Sequence, residues 1–436
     1  MCYVSRASSI TYAPIVQSGH VQRQRVVDRY EDCQFSHNIM YQEFQAGSQT
    51  TVRLMIPDMP NASEIGRWLE QIDFNRHYTN FGPLVTELET RIEGRLRAES
   101  LELLPGASRV VTASSGTAAL ELAITARRLR PCAKVALPAF TFPATATAVI
   151  RSGAVPVFVD VDPDSWCLTP EIALDVLEYT DVDLVIPVAA FGRPLPAADW
   201  DRFAEGTGIP VIMDAASAFG SQVLGRVCVT VFSLHATKAM SSGEGGLVAA
   251  CSDTFIHETR QLSNFGFSAP RRVGSPGLNG KLSEYHAAVG LAQLERFGEV
   301  RERRARVYAH YAERLSQLDG RVALQHTETE FVRSVLPVAV LGMGGAERLE
   351  VGLQGEKIET RRWYCPPLNE HRAFLGMQCA GRDGSSDLPV TTSLSEQILG
   401  LPFHSFLSEF EIARVCSLVE KHHGSPRAFS MQGGAA

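Results

Sequence analysis

Lysine is scarce in this chain. Of its 41 basic residues only five are lysine, at positions 134, 238, 281, 357 and 421, and the rest are arginine. Acids outnumber bases, 48 to 41, so the net charge of −7 excludes a protein that coats nucleic acid. The nine cysteines are odd in number, scattered, and form no CxxC pair. They read as reduced thiols of a cytoplasmic protein. No amino-terminal run has the basic-then-apolar layout of a signal peptide. Long hydrophobic runs are missing too. The most apolar region, 137–150, is broken by Pro138, Pro143 and threonines, so it is no membrane span. Neither GxGxxG nor GxxxxGK[ST] occurs, which weakens dinucleotide and P-loop readings.

What is present is a core. Hydrophobic residues make up 45% and charged residues 20% of 436 positions, enough for two to three domains. Residues 1–54 lack periodicity and read as an extension. From 109 onward the pattern is strand, loop, helix. Apolar strands are predicted at 109–112, 135–137, 155–159, 184–188, 211–213, 229–232 and 247–250. Helical stretches at 116–129, 141–151, 170–179 and 198–206 lie between most of them. Short apolar strands alternating with helices predict a three-layer α/β fold around a mainly parallel, seven-stranded sheet. Ligands would sit at the carboxyl ends of its strands. A long helix is predicted over 283–315. The domain reading is 55–300 for a large domain, whose first 25 or so residues pack with the smaller one, 301–425 for a smaller α+β domain, and 426–436 for a flexible tail.

Chemistry-bearing residues collect at the predicted strand ends. In Thr112-Ala-Ser-Ser-Gly-Thr-Ala-Ala-Leu120 small residues run from a strand into a helix. Free N–H groups there, with Gly116 for close approach and hydroxyls from Ser115 and Thr117, would cradle a phosphate. An ordinary Ser/Thr helix cap is the bland alternative. In Met213-Asp-Ala-Ala-Ser217 an acid closes an apolar strand. Buried, it needs a partner such as a protonated pyridine nitrogen, unless it merely caps a helix. Pro138-Ala-Phe-Thr-Phe-Pro143 offers a ring for stacking or for the core. Lys238 lies between two apolar strands, five residues after Ser233 and before Gly243, Gly245 and Gly246. A chain that writes its positive charge as arginine and places lysine here needs an amine, because an amine forms a Schiff base and a guanidinium does not. A solvated loop lysine is the alternative. Together these are the parts that hold pyridoxal phosphate: phosphate anchor, stacking ring, acid and lysine.

Five motifs resemble the DegT/DnrJ/EryC1/StrS family of fold type I, pyridoxal phosphate-dependent sugar aminotransferases. They are Ser114-Ser-Gly-Thr-Ala-Ala-Leu120, Pro138-Ala-Phe-Thr-Phe142, Val155-Pro-Val-Phe-Val-Asp-Val-Asp162, Met213-Asp-Ala-Ala216 and Phe232-Ser-Leu-His-Ala-Thr-Lys238 with Gly243-Glu-Gly-Gly246. The resemblance makes Lys238 the lysine bonded to the cofactor and Asp214 the partner of its ring nitrogen. It makes Phe142 the stacking ring, and assigns cofactor contacts to Ser115, Gly116, Thr117, Ala216, Ser217 and Ser233. It implies a homodimer, in which Asn279 of Gly277-Leu-Asn-Gly-Lys-Leu-Ser-Glu284 reaches the neighbour's phosphate, and it puts Lys281 and Arg361 on the substrate side. No metal is expected. The implied reaction moves an amino group from glutamate or glutamine to a keto group of a nucleotide-linked deoxysugar. Alternatives on the same fold are a dehydratase, an aminotransferase for a cyclitol or other non-nucleotide ketone, and a cofactor-binding regulator without turnover. The related dehydratases carry His in place of Lys238. Departures are Ser217 where Gln or His is common, Asn279-Gly-Lys281 for Asn-Tyr-Arg, and Asn369 for His.

Overall fold

The computed structural model describes residues 50–100, 109–318, 320–342 and 344–423. Nearly all of the expected extension, and the tail at 426–436, lie outside the described residues.

All seven predicted strands form: β1 (Arg109–Ala113), β2 (Lys134–Pro138), β3 (Val155–Val159), β4 (Leu184–Val185), β5 (Ile212–Asp214), β6 (Val229–Ser233) and β7 (Gly246–Ala250). Strands β1-β7-β6-β5 make one ladder. Strands β4-β2-β3 make another, and parallel bridges Val185↔Val211 and Val188↔Asp214 join the two. Pairs β5–β6, β2–β3 and β2–β4 are parallel.

Two features go beyond the sequence pattern. Strand β7 runs antiparallel to both β6 and β1, with Ser233 opposite Gly246. The chain therefore turns straight back after β6, and residues 234–245, which carry Lys238, form the turn. Gly243 (φ +83°) and Gly245 (φ +157°) supply backbone conformations that other residues adopt at a cost. The second feature is an eighth strand. After β8 (Phe267–Ala269), β9 (Arg272–Val273), β10 (Val322–Leu324) and β11 (Leu336–Val340), the short β12 (Gln378–Ala380) adds in parallel to the open edge of β3. Strand β13 (Ile398–Leu401) then pairs with β11, which also pairs with β10, in a separate antiparallel sheet.

Side chains alternate across the large sheet. Leu247 and Ala249 of β7 belong to one apolar cluster, and Val248 and Ala250 to another. Helices Gly116–Ala126, Pro143–Arg151 and Asp253–Ser263 cover the second face, while Pro83–Glu99 and Ala197–Thr207 join the first. Pro83–Glu99 alone buries Leu84, Val85, Leu88, Ile92 and Leu96, each contributing about 2 kcal/mol. Burial on both faces explains why these strands read as continuous apolar runs. Helix Glu284–Leu315 starts in the first cluster, with Ala287 and Leu291, and ends in a third, with Val307, Tyr311 and Leu315. That third cluster also takes Val52, strands β11 and β13, and helices Gly345–Gly355 and Glu409–His423. No described helix is long and apolar enough to cross a membrane.

Candidate active site

A cavity of about 410 Å³ opens at the carboxyl ends of β1, β5 and β6. Ten of the residues singled out in the sequence line it: Ser115, Gly116, Thr117, Phe142, Asp214, Ala216, Ser217, Ser233, Lys238 and Arg361. Asn279 and Lys281 do not.

The anion cradle is the start of helix Gly116–Ala126. Ser115 caps it, its side chain accepting from the Ala118 N–H at 3.1 Å. The bland and the functional readings of Ser115 thus coexist, since a capped helix start still presents first-turn N–H groups that lack intrahelical partners. The cradle is tight. A Cβ at Gly116 would lie 2.9 Å from the Ser233 Cβ, and one at Gly246 only 2.4 Å from the Ser115 carbonyl oxygen. Glycine at both positions lets β6 and β7 close against the cradle.

Asp214 ends β5 and is only 4% exposed. Thr145 Oγ1 donates to its Oδ2 at 2.7 Å, and the Ala216 N–H donates to Oδ1 at 3.2 Å. Burial pushes its carboxyl above the usual range; these two bonds and the charge of Lys238 pull the other way. Lys238 Nζ donates to Ser217 Oγ at 2.6 Å. Its side chain is partly open to the cavity, yet the protein packed around it desolvates the ammonium and pushes its pKa down to about 8, against the opposing pull of Asp214. The pair therefore offers a reactive amine and a sheltered acid on the wall of one cavity.

Phe142 is 54% exposed and faces the cavity, whereas its neighbour Phe140 is fully buried. The aromatic pair thus divides into one ring available for stacking and one core ring. Sequence reasoning missed part of the wall. Thr145 gave no signal of its own, lying 69 positions from the acid that it holds. Phe191 and Tyr364 stack at 5.0 Å with planes 21° apart, and both have positive φ, +59° and +57°. Non-glycine residues in that region cost on the order of 1–3 kcal/mol each and concentrate at functional sites. Trp363 lies under the Arg361 guanidinium, 4.5 Å from it. These two aromatics directly follow Arg361 and Arg362, which is the one local hint they had. His235, Thr237 and Glu244 also line the cavity.

The parts fit pyridoxal phosphate. The helix start lines the cavity with first-turn N–H groups, the acid is buried without a cationic hydrogen-bond partner, and the amine is desolvated. No described group of three or more His, Cys, Asp or Glu could hold a metal ion.

Comparison with known proteins agrees. The chain is 30% identical over 345 residues to UDP-2-acetamido-2-deoxy-3-oxo-D-glucuronate aminotransferase of Pseudomonas aeruginosa, covering 77% of this chain and 90% of that one. It is 28% identical over 375 residues to dTDP-4-amino-4,6-dideoxy-D-glucose transaminase of Shigella dysenteriae, covering 84% and 97%. Among solved structures, DesI with its TDP-sugar product matches with a TM-score of 0.75 at 29% identity, over 87% of this chain and 94% of DesI. The match to the DegT/DnrJ/EryC1/StrS aminotransferase family spans residues 62–420, and the chain belongs to that family of pyridoxal phosphate-dependent aminotransferases.

Proposed function

We propose that this chain transfers an amino group from glutamate or glutamine to the keto group of a nucleotide-linked deoxysugar, in amino-sugar biosynthesis. The observation that carries the reading is the single cavity where Lys238, Asp214 and the 115–117 cradle converge. The named substrates of the similar enzymes support the substrate class.

Each residue then has a task. The first turn of helix Gly116–Ala126, with Ser233, would hold the phosphate, and Phe142 would cover one face of the ring. When bound, pyridoxal phosphate supplies an aldehyde carbon and a ring that accepts an electron pair. Asp214, fixed by Thr145 and Ala216, would face the ring nitrogen and favour its protonated form. Lys238 would hold the cofactor through its aldehyde carbon, and its Nζ, when free, is the base that would take a proton from the donor's α-carbon. A pKa of about 8 suits that task, because a base works best near the operating pH. Ser217 Oγ gives the freed amine a hydrogen-bonded resting place. Arg361 has no carboxylate within 4 Å among the described residues. Held over Trp363, it offers a cation to an anionic substrate group.

The same reading places two copies together, with Asn279 of one at the cradle of the other. Asn279 is exposed and lines no part of its own cavity, which supports this. It also divides the chain into a large part, 55–300, and a smaller part, 301–425, which has the third cluster as most of its core but lends β12 to the large sheet and Arg361 to the cavity.

Holoenzyme mixed with glutamate or glutamine alone should yield pyridoxamine phosphate. A nucleotide-linked keto-deoxysugar should then restore the starting cofactor and appear as an amino sugar. Failure of every amino acid to produce pyridoxamine phosphate refutes aminotransfer. Turnover of a cyclic keto polyol, with none of a nucleotide-linked sugar, refutes the substrate class.

A further inference from the structure

Lys281, expected on the substrate side, does not line the cavity of its own chain, and its ammonium is engaged elsewhere. It donates to Asn264 Oδ1 and to Asn279 Oδ1, each at 2.8 Å, and lies 4.7 Å from the centre of the Phe265 ring. Among the described residues no carboxylate lies within 4 Å of it. An ammonium has three donors and no acceptor, so both amides must turn their oxygens toward it. Their NH₂ groups must then face away.

The backbone beneath is rigid. The Phe265 N–H donates to the Leu278 carbonyl at 3.0 Å, the Leu278 N–H to Leu262 at 2.9 Å, and the Gly280 N–H to Ser263 at 2.9 Å. The Gly280 carbonyl in turn accepts from the Ser114 N–H at 2.7 Å, tying the segment to the strand that leads into its own cradle. Yet Asn279 is exposed, as are Phe265, against which Lys281 packs, and Phe267 and Val273 of the β8–β9 hairpin. That apolar fringe suits coverage by a second copy of this chain.

We propose that Lys281 is a positioning residue: it clamps the Asn279 and Asn264 amides with their oxygens inward, so that Asn279 presents its NH₂ as a donor to the phosphate held by a second copy. The proposal rests on the reading that Asn279 reaches that phosphate. Without the clamp, the amide rotates freely and offers oxygen as often as nitrogen, and an oxygen repels an anion. A guanidinium is likewise a donor without acceptors, so arginine at 281 could donate to the same two amide oxygens.

The test compares N279A, K281M, K281R and the N279A/K281M double variant of the holoenzyme. The readouts are the cofactor dissociation constant, from visible absorbance during dialysis, and oligomeric state by sedimentation. N279A should weaken cofactor binding roughly tenfold, the scale of one hydrogen bond to a charged group. K281M should weaken it about twofold, the factor for a donor presented half the time, with no change in sedimentation; K281R should restore most of that loss, and the double variant should match N279A. No effect in N279A removes the reading beneath the proposal. An effect in N279A but none in K281M overturns the clamp alone. Additive losses overturn it as well, by making Lys281 a direct phosphate contact, and so does dissociation of K281M, by making it an interface residue.

Discussion

Lys238 of the cofactor-free protein should combine with an aldehyde as an amine titrating at about 8, not as a surface lysine. The perturbation is pH. Burial disfavours the ammonium and Asp214 favours it, and burial wins. At pH 7 roughly one amine in ten is then neutral, against roughly one in three thousand for an ordinary lysine near 10.5, a gain of about 300-fold in reactive base. The assay is stopped-flow mixing of cofactor-free protein with pyridoxal phosphate, following the visible absorbance of the bound cofactor, with K238A as the blank. The rate should climb about tenfold per pH unit below 8 and level off above it. D214N removes the charge that raises the pKa, so its plateau should begin at lower pH. A rate that rises unbroken to pH 10 refutes the desolvation argument. A D214N plateau shifted upward refutes the assigned role of the acid.

Three other outcomes follow from neighbouring geometry. G116A forces a Cβ to 2.9 Å from Ser233 in the cradle; cofactor affinity should fall at least tenfold by equilibrium dialysis, while unfolding stability drops by no more than about 2 kcal/mol. T145V leaves Asp214 Oδ2 without its donor. It should cost about 1–3 kcal/mol in urea unfolding and lower kcat more than KM, because a carboxyl driven further upward holds the ring-nitrogen proton less well. K238M should stabilise the cofactor-free protein. Folded Lys238 has a pKa below its unfolded value, so its penalty is complete below pH about 8 and gone above 10.5. The gain should reach up to about 3 kcal/mol at pH 7 and vanish by pH 11, as read by chemical unfolding at the two pH values.

Much of this was legible in the chain. Strands buried on both faces leave apolar runs, so β1 to β7 could be placed to within a few residues, although β4 proved shorter than its 184–188 run. Helix starts were legible where a cap signals them, as at Ser115, Thr169 and Ser283. Lys238 and Asp214 stood out because each breaks its local pattern at a strand end. The reversal of β7 did not, since nothing local tells a strand which neighbour it will meet. Strand β12 is three residues with one polar position, too short for a period, and only the open edge of β3 makes it a strand. Thr145 and the Phe191–Tyr364 stack owe their roles to contacts between distant segments. The engagement of Lys281 was equally hidden: the family resemblance put it on the substrate side, and its two amide partners became visible only in three dimensions.

The central claim is that one amine, at position 238, bonds the cofactor. Borohydride reduction of the holoenzyme fixes the cofactor to whichever lysine holds it, and peptide mass spectrometry then reads the site. The account predicts one modified peptide per chain, carrying residue 238. A label on Lys134, Lys281, Lys357 or Lys421, or an unlabelled chain from a coloured enzyme, contradicts it.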